Sequence, residues 1–425
     1  MNRTIYTLIY YLALPLILLR MWWRSFTDSR YRQRWRERLG FYPVDTFDKS
    51  KPVIVFHAVS VGELHAAVPL IYACQQALPE WTFTLTTTTV TGSARVKALF
   101  GDSVQHCYMP YDAPGSIKRF LCAVNPKVLV ILETELWPNL FFYSRHYNCK
   151  LLLLNARLSH KSFLNYQKYI SLTSSMLRSL DVVAAQFEPD AENFRKLGLP
   201  EGVLHITGTM KFDQEVDQEQ SIAGVAMKQE LQRPILVAGS TREGEEEKVL
   251  TAFKILLKSL PGLLLILVPR HPNRFKEVGK LLSNQGYKFV QRSSGGAITA
   301  DKQILLGDSL GEMQFYYASA DVAFVGGSLV DTGCQNIIEP AVFGLPIITG
   351  PSLFNFQAVS ELFLASGAMQ VVADEKELAE KTQVLLQNKA LRQNMADAAS
   401  ATLKQNRGAT EKQKQLILQA IHSDQ

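Results

Sequence analysis

From Val53 onward the sequence repeats one device, a short continuous run of β-branched and leucine-rich residues followed by an amphipathic stretch. Runs that are apolar at every position mark strands buried on both faces, as in parallel sheets covered by helices. The first series reads 53–59, 83–89, 127–133, 151–155, 182–185 and 204–207. A polar, Gln- and Glu-rich interval at 213–232 interrupts it. The pattern then resumes at 235–238, 263–268, 288–291, 304–306, 322–325, 346–349 and 369–372. Two such series predict two doubly wound α/β domains, which suits a chain of 425 residues. Open sheets of this type bind ligands outside the carboxyl ends of their strands, so functional residues are sought just after each run.

A hydrophobic fraction of 47% and a charged fraction of 20% exclude a disordered or collagen-like chain. One strongly apolar stretch, 5–19, excludes a polytopic membrane protein. At 1.5 Å per residue it would extend only ~22 Å as a helix, short of the ~30 Å hydrocarbon layer. Trp22 and Trp23 follow it, and seven arginines lie between Arg20 and Arg38 against Asp28 and Glu37. That order differs from a cleaved signal peptide, whose charge precedes the apolar run. It predicts a retained anchor over residues 1–24, with tryptophans in the headgroup layer and arginines toward an anionic cytoplasmic leaflet. These arginines account for most of the net charge of +6, leaving the remainder near neutral, which argues against a nucleic-acid-binding face. The cysteines (74, 107, 122, 149 and 334) form no C-x-x-C pair, and the histidines form no H-E-x-x-H. Neither a disulfide framework nor a zinc site is expected.

Several strand ends deliver reactive groups. His57-Ala58-Val59-Ser60-Val61-Gly62-Glu63 admits three readings. Glu63 in the first turn of a helix could take a proton from an attacking hydroxyl. Ser60 could be the nucleophile of a degenerate G-x-S-x-G elbow. The segment could also be a capped helix start with a dipole-compensating glutamate. Glu133-Thr134-Glu135-Leu136-Trp137-Pro138-Asn139 sets two carboxylates after an apolar strand, where they need a cavity or cationic partners. Lys211, after the run 204–207, offers a cation for a phosphate or carboxylate.

In the second series, Gly239-Ser240-Thr241-Arg242-Glu243-Gly244-Glu245 has Walker A glycine spacing, but Glu245 and Glu246 replace the lysine and hydroxyl residue. A triphosphate-hydrolysing loop is rejected, and a helix start able to present amides to an anion remains. No G-x-G-x-x-G occurs, against a dinucleotide dehydrogenase. Pro269 and Arg270 end the next run, with a guanidinium suited to phosphate or a pyrimidine edge. Gly311, Glu312 and Met313 begin a further helix. Gly326-Gly327-Ser328 would let phosphate reach backbone amides, while Asn336 and Glu339 share a helical face that could hold a ribose.

Taken jointly, HAVSVGE (57–63), ETELWPN (133–139), GTMKFD (208–213), GSTREGEEE (239–247), VPRHPNRF (268–275) and GGSLVDTGCQNIIEP (326–340) resemble the 3-deoxy-D-manno-octulosonic acid (Kdo) transferases of lipopolysaccharide assembly. The likeness covers essentially the whole chain. It implies an α/β, GT-B glycosyltransferase fold of two facing Rossmann-like domains with a cleft between them: an anchor at 1–24, an acceptor domain at 25–215 and a donor domain at 216–425. The last helix is expected to pack back on the first domain. The resemblance implies Glu63 as proton acceptor and Glu133 and Lys211 as transition-state stabilisers. It implies CMP contacts from Pro269, Arg270, Gly311, Glu312, Met313, Asn336, Ile337, Ile338 and Glu339. One position departs from the family pattern, since Cys334 follows Gly333 where a second glycine is usual.

The implied reaction moves Kdo from CMP-Kdo to the tetraacylated lipid A precursor (lipid IVA) with inversion and without a metal or other cofactor. It would take place at the cytoplasmic side of the inner membrane, with membrane lipids as further partners and no nucleic acid. Three alternatives stand beside it: a membrane-associated GT-B enzyme using a UDP-sugar, a membrane-anchored serine hydrolase using Ser60, and a non-enzymatic scaffold.

Overall fold

The computed structural model describes residues 1–422, and residues 423–425 of the expected carboxy-terminal domain lie outside the described residues. The chain divides into two compact units, one made of residues 1–214 with 407–425 and one of 215–406.

The first unit is built on seven parallel strands: β1 (Val53–His57), β2 (Thr82–Thr87), β3 (Gln105–Tyr108), β4 (Pro126–Leu132), β5 (Lys150–Ala156), β6 (Val182–Ala185) and β7 (Leu204–Ile206). They lie in the order β3-β2-β1-β4-β5-β6-β7. Alternate residues of the apolar runs supply two separate cores. Val55, Leu129, Ile131 and Leu153 enter one face, and Ile54, Phe56, Val130 and Leu154 the other. The final helix, Ala409–His422, contributes Ala409, Leu416 and Ile417 to the second of these cores. β3 is absent from the sequence-based series because QHCY has no β-branched residue, and it sits at the sheet edge, where only one neighbour has to be satisfied.

The second unit repeats the plan with β8 (Ile235–Thr241), β9 (Leu264–Pro269), β10 (Phe289–Gln291), β11 (Ile304–Leu306), β12 (Val322–Val325), β13 (Ile347–Thr349) and β14 (Met369–Val371). Their order is β10-β11-β9-β8-β12-β13-β14, again parallel throughout. The polar interval that separates the two series is no linker. Asp217 caps a helix, Gln218–Leu231, whose Gly224 lies so close to Phe315 and Ala318 that a Cβ there would stand 2.4 Å from the Phe315 carbonyl oxygen. Composition alone hides this helix because half of its residues are polar and only Gly224 is fully buried.

The amino-terminal helix runs from Arg3 to Thr27, ten residues longer than the apolar run, and would measure ~37 Å. It is the one described helix long and apolar enough to cross a membrane. One stripe is fastened to the first unit: Arg3 Nη1 and Thr7 Oγ1 donate to Asn139 Oδ1 at 3.2 and 3.0 Å, and Tyr10 Oη accepts from the Asp112 amide at 3.1 Å. The opposite stripe, Leu8, Leu12, Leu16, Leu19 and Trp23, is exposed, Trp23 to 75%. The helix is therefore not a buried core helix.

Candidate active site

In both sheets the strand order reverses at one point, between β1 and β4 in the first unit and between β8 and β12 in the second. Successive connections leave in opposite directions there, which opens a crevice at the carboxyl ends. The sequence-predicted residues gather at these two places.

In the first unit β1 runs through Ala58 and Val59 to Ser60, which caps the helix Val61–Ala77 by accepting from the Glu63 amide at 3.2 Å. The Glu63 side chain turns back, and its Oε2 accepts from the Val59 amide at 2.8 Å. This reciprocal arrangement is a capping box, and it fixes the carboxylate at the strand end. Burial, reinforced by the fields of Glu133 and Glu135, pushes the Glu63 carboxyl up to about 7, against the opposing hydrogen bonds from Val59 and Ser60.

Glu133 follows β4 in a left-handed conformation (φ 58°), uncommon for a residue with a side chain. Its Oε1 stands 3.1 Å from Lys211 Nζ, both groups half-buried. Lys211 is positioned by a 3₁₀ turn, Met210–Asp213, whose Met210 and Phe212 are buried. Glu135 accepts from Trp137 Nε1 at 2.9 Å, and burial raises its carboxyl. Trp137 packs edge-on against His57, ring centroids 5.3 Å apart, and holds this loop against β1. Glu63, Glu133 and Lys211 are thus brought to one end of one sheet.

The hydrolase reading fails on geometry. His57 is fully buried, its Nδ1 is bonded to Thr86 Oγ1 at 2.9 Å, and burial pushes it down to about 4. Among the described residues Ser60 Oγ accepts only the capping bond from Glu63, with no imidazole beside it to take its proton.

In the second unit β9 ends at Pro269, and the Arg270 amide donates to the Thr241 carbonyl at 2.9 Å. Arg270 Nε reaches Gln335 Oε1 at 3.3 Å. Asn336 accepts from the Ile338 amide at 3.1 Å and donates to Glu339 Oε1 at 3.2 Å, so it fixes the carboxylate. Burial raises Glu339, opposed by Asn336 and by the charge of Arg270. Ile337 and Ile338 lie in the core, so they can offer a ligand only their main chain. Gly311 takes φ 83° before the helix Met313–Ala318, while Glu312 is held by Arg292 at 2.7 Å. Cys334 is buried with its amide on the Ser352 carbonyl at 2.8 Å, and positive φ falls on Gly333, so this loop does not require the family's second glycine.

One sequence expectation is overturned. The amides after β12 are not open to phosphate, because the fully buried Glu245 accepts from Gly327 (2.6 Å), Ser328 (3.0 Å), Leu329 (2.9 Å) and Arg242 (3.1 Å). Gly326 lets this happen, since a Cβ there would lie 2.6 Å from the Ser240 carbonyl oxygen and 2.8 Å from the Glu245 carboxylate. Glu245 was legible only as a departure from Walker A; its position in the first turn of the helix Glu245–Ser259 gave no hint that it turns backwards. Arg242, also outside the sequence-predicted set, sets its Nη1 against His271 Nε2, and its charge and that of Arg270 depress the His271 imidazole after burial does.

Residues 33–214 match the profile of a family described as 3-deoxy-D-manno-octulosonic-acid transferase. The 3-deoxy-D-manno-octulosonic acid transferase of Haemophilus influenzae is 40% identical over 97% of both chains. That of Bordetella pertussis is 36% identical over 96% of this chain and 97% of its own. A glycosyltransferase structure from Rickettsia africae superposes with a TM-score of 0.59 at 13% identity, covering 88% of this chain and 99% of that one, which identifies the fold as GT-B. With two doubly wound parallel sheets, a glutamate held at the switch point of the first and likeness along nearly its entire length, the chain belongs to the 3-deoxy-D-manno-octulosonic acid transferase family of glycosyltransferases.

Proposed function

We propose that the protein transfers Kdo from CMP-Kdo to the tetraacylated disaccharide bisphosphate precursor of lipid A, with Glu63 as the base. The observation that carries this reading is the Glu63 carboxylate itself, fixed by the Val59 amide at 2.8 Å and poised at about 7 by burial. A base that titrates near the working pH combines a useful unprotonated fraction with enough affinity for the proton. As the acceptor hydroxyl forms its bond to the anomeric carbon of Kdo, its proton passes to Glu63. The bond from that carbon to the phosphate oxygen breaks, and CMP leaves with the electron pair. One displacement inverts the anomeric centre.

Lys211 opposes the negative charge that builds in the transition state, and Glu133 holds the ammonium in place at 3.1 Å. In the donor unit Arg270 is the cation for the departing phosphate, and Glu339, steadied by Asn336, receives the ribose hydroxyls. Pro269, Gly311 to Met313 and the main chain of Ile337 and Ile338 frame the cytidine. With these fixed cations the reaction runs without a metal. The outward leucine stripe of the amino-terminal helix seats in the inner membrane from its cytoplasmic side, beside a lipid acceptor.

A mass-resolved assay with CMP-Kdo and the lipid acceptor, with and without a chelator, tests donor, acceptor and metal need together. The expected result is a product heavier by Kdo, undiminished by chelator and inhibited by CMP rather than UDP. Inhibition by UDP alone, or no Kdo product, overturns the reading.

A further inference from the structure

We infer that Arg242 is a carboxylate-recognition residue, which selects an ulosonic acid donor over a neutral sugar nucleotide. The inference rests on the donor assignment above and deepens it. Thr241 and Pro269 are paired neighbours at the ends of β8 and β9, so Arg242 and Arg270 leave adjacent strands side by side. After burial, the charge of Arg270 depresses Arg242, opposed by the charge of Glu245. Among the described residues neither arginine has a carboxylate partner. The acids at hand are committed elsewhere, Glu245 to four amides and Glu246 to Arg274 (3.2 Å) and Thr241 (3.2 Å).

Glu245 and Glu339 act on Arg242 and Arg270 only through their fields, without a contact ion pair, so the two adjacent guanidiniums can still take anions, and the donor supplies two at one atom. The anomeric carbon of an ulosonic acid nucleotide bears both the phosphate oxygen and the sugar carboxylate. Arg270, next to the ribose-binding Glu339 and held by Gln335, falls to the phosphate. Arg242 is left for the carboxylate. Arginine cannot give up its charge, so its contact with His271 makes Nη1 the donor and His271 Nε2 the acceptor. His271 therefore steadies one side of the guanidinium as a neutral ring. Arg242 Nε is a buried donor without a partner, and a carboxylate reaching the guanidinium from the side away from His271 would satisfy it together with Nη2. A neutral hexose nucleotide would bring only its phosphates and leave that side unmet.

The test measures CMP, intact CMP-Kdo and the carboxamide analogue of CMP-Kdo against the full-length protein and its Arg242→Ala and Arg242→Lys variants by titration calorimetry. A charge-assisted bidentate contact corresponds to roughly 10- to 100-fold in affinity. The wild type should therefore prefer CMP-Kdo over the carboxamide by about 30-fold. Arg242→Ala should bind CMP within about twofold of wild type and no longer distinguish the two sugar nucleotides, with Arg242→Lys between them. If Arg242→Ala loses CMP as strongly as CMP-Kdo, Arg242 serves the phosphate and the inference is wrong. Persistent discrimination in that variant places the carboxylate elsewhere and is equally fatal. A wild type that binds CMP but ignores the carboxylate defeats the inference alone; one that binds no CMP defeats the donor assignment beneath it.

Discussion

Glu245 Oε2 lies 2.6 Å from the Gly327 amide nitrogen, a side chain filling the anion nest that a glycine-rich strand end otherwise presents to phosphate. With Ser328, Leu329 and Arg242 also donating to it, this carboxylate ties the ends of β8 and β12 together at the switch point of the second unit. Those amides are thereby closed to phosphate, which on the proposed reading falls to side chains such as Arg270.

Removing that carboxylate leaves four amides unsatisfied in the core. Glu245→Ala should destabilise the protein by about 3–5 kcal/mol, because unpaired buried donors cost roughly 1–3 kcal/mol each and partly relax. Thermal unfolding of the full-length chain in detergent measures this, and a loss below about 1 kcal/mol would show that the nest is re-satisfied without it.

Lys211 and Glu133 form an ion pair at 3.1 Å. Lys211→Ala should lower kcat by about 100-fold, in the range for losing one preorganised donor, while CMP affinity stays within about twofold. Unchanged kcat would remove Lys211 from the reaction; a matching loss of CMP affinity would assign it to donor binding.

Asp112 accepts from the Asn139 and Leu140 amides at 3.0 and 2.7 Å, yet burial still raises its carboxyl to about 7 from an ordinary 3.8. The sign follows from proton binding. Between those values the folded state holds a proton that the unfolded state has released, so stability falls as pH rises from about 4 to about 7. Asp112→Asn should flatten that portion of the profile, which melting curves from pH 4 to 8 would resolve. An unaltered profile would mean that Asp112 is not the group responsible.

The leucine stripe gives a separate test of membrane attachment. Leu12 and Leu16 are 72% and 68% exposed, and burying each in lipid contributes about 1.5–3 kcal/mol. Leu12→Glu with Leu16→Glu should reduce co-sedimentation with anionic phospholipid vesicles more than tenfold and leave CMP binding unchanged. Equal sedimentation of the double variant would show that another surface carries the attachment.

What the sequence disclosed follows from which interactions are local. Continuous apolar runs announce parallel strands, since both faces of such a strand are buried, and residues such as Glu63, Glu133 and Arg270 declare themselves by following those runs. β3 was hidden because an edge strand needs little apolar character, and the helix Gln218–Leu231 because its packing on Phe315 and Ala318 runs through a glycine, which carries no apolar side chain to announce it. The occupation of the Gly327 nest by Glu245 depends on two segments 82 residues apart in sequence, and no local pattern encodes such a pairing. The fastening of Tyr10 to the Asp112 amide, 102 residues away, was invisible for the same reason.

Glu63 offers a further consequence of its environment. Its folded-state carboxyl at about 7 lies above an ordinary 4.5, so charging it costs stability as pH rises through that interval. Glu63→Gln keeps an oxygen for the Val59 amide and removes that cost, so its melting temperature at pH 8 should equal or exceed that of wild type. A clear fall would indicate a structural rather than a chemical role.

The most direct measurement is single-turnover Kdo transfer by wild type and Glu63→Gln from pH 5 to 9, with CMP affinity recorded alongside. Wild-type rate should rise tenfold per pH unit below about 7 and level off above it, while the variant, still binding CMP, shows no such rise and is at least about 100-fold slower than wild type above pH 7. A Glu63→Gln enzyme that retains the wild-type rate, or a wild-type rate flat from pH 5 to 7, would contradict the assignment of Glu63 as the base.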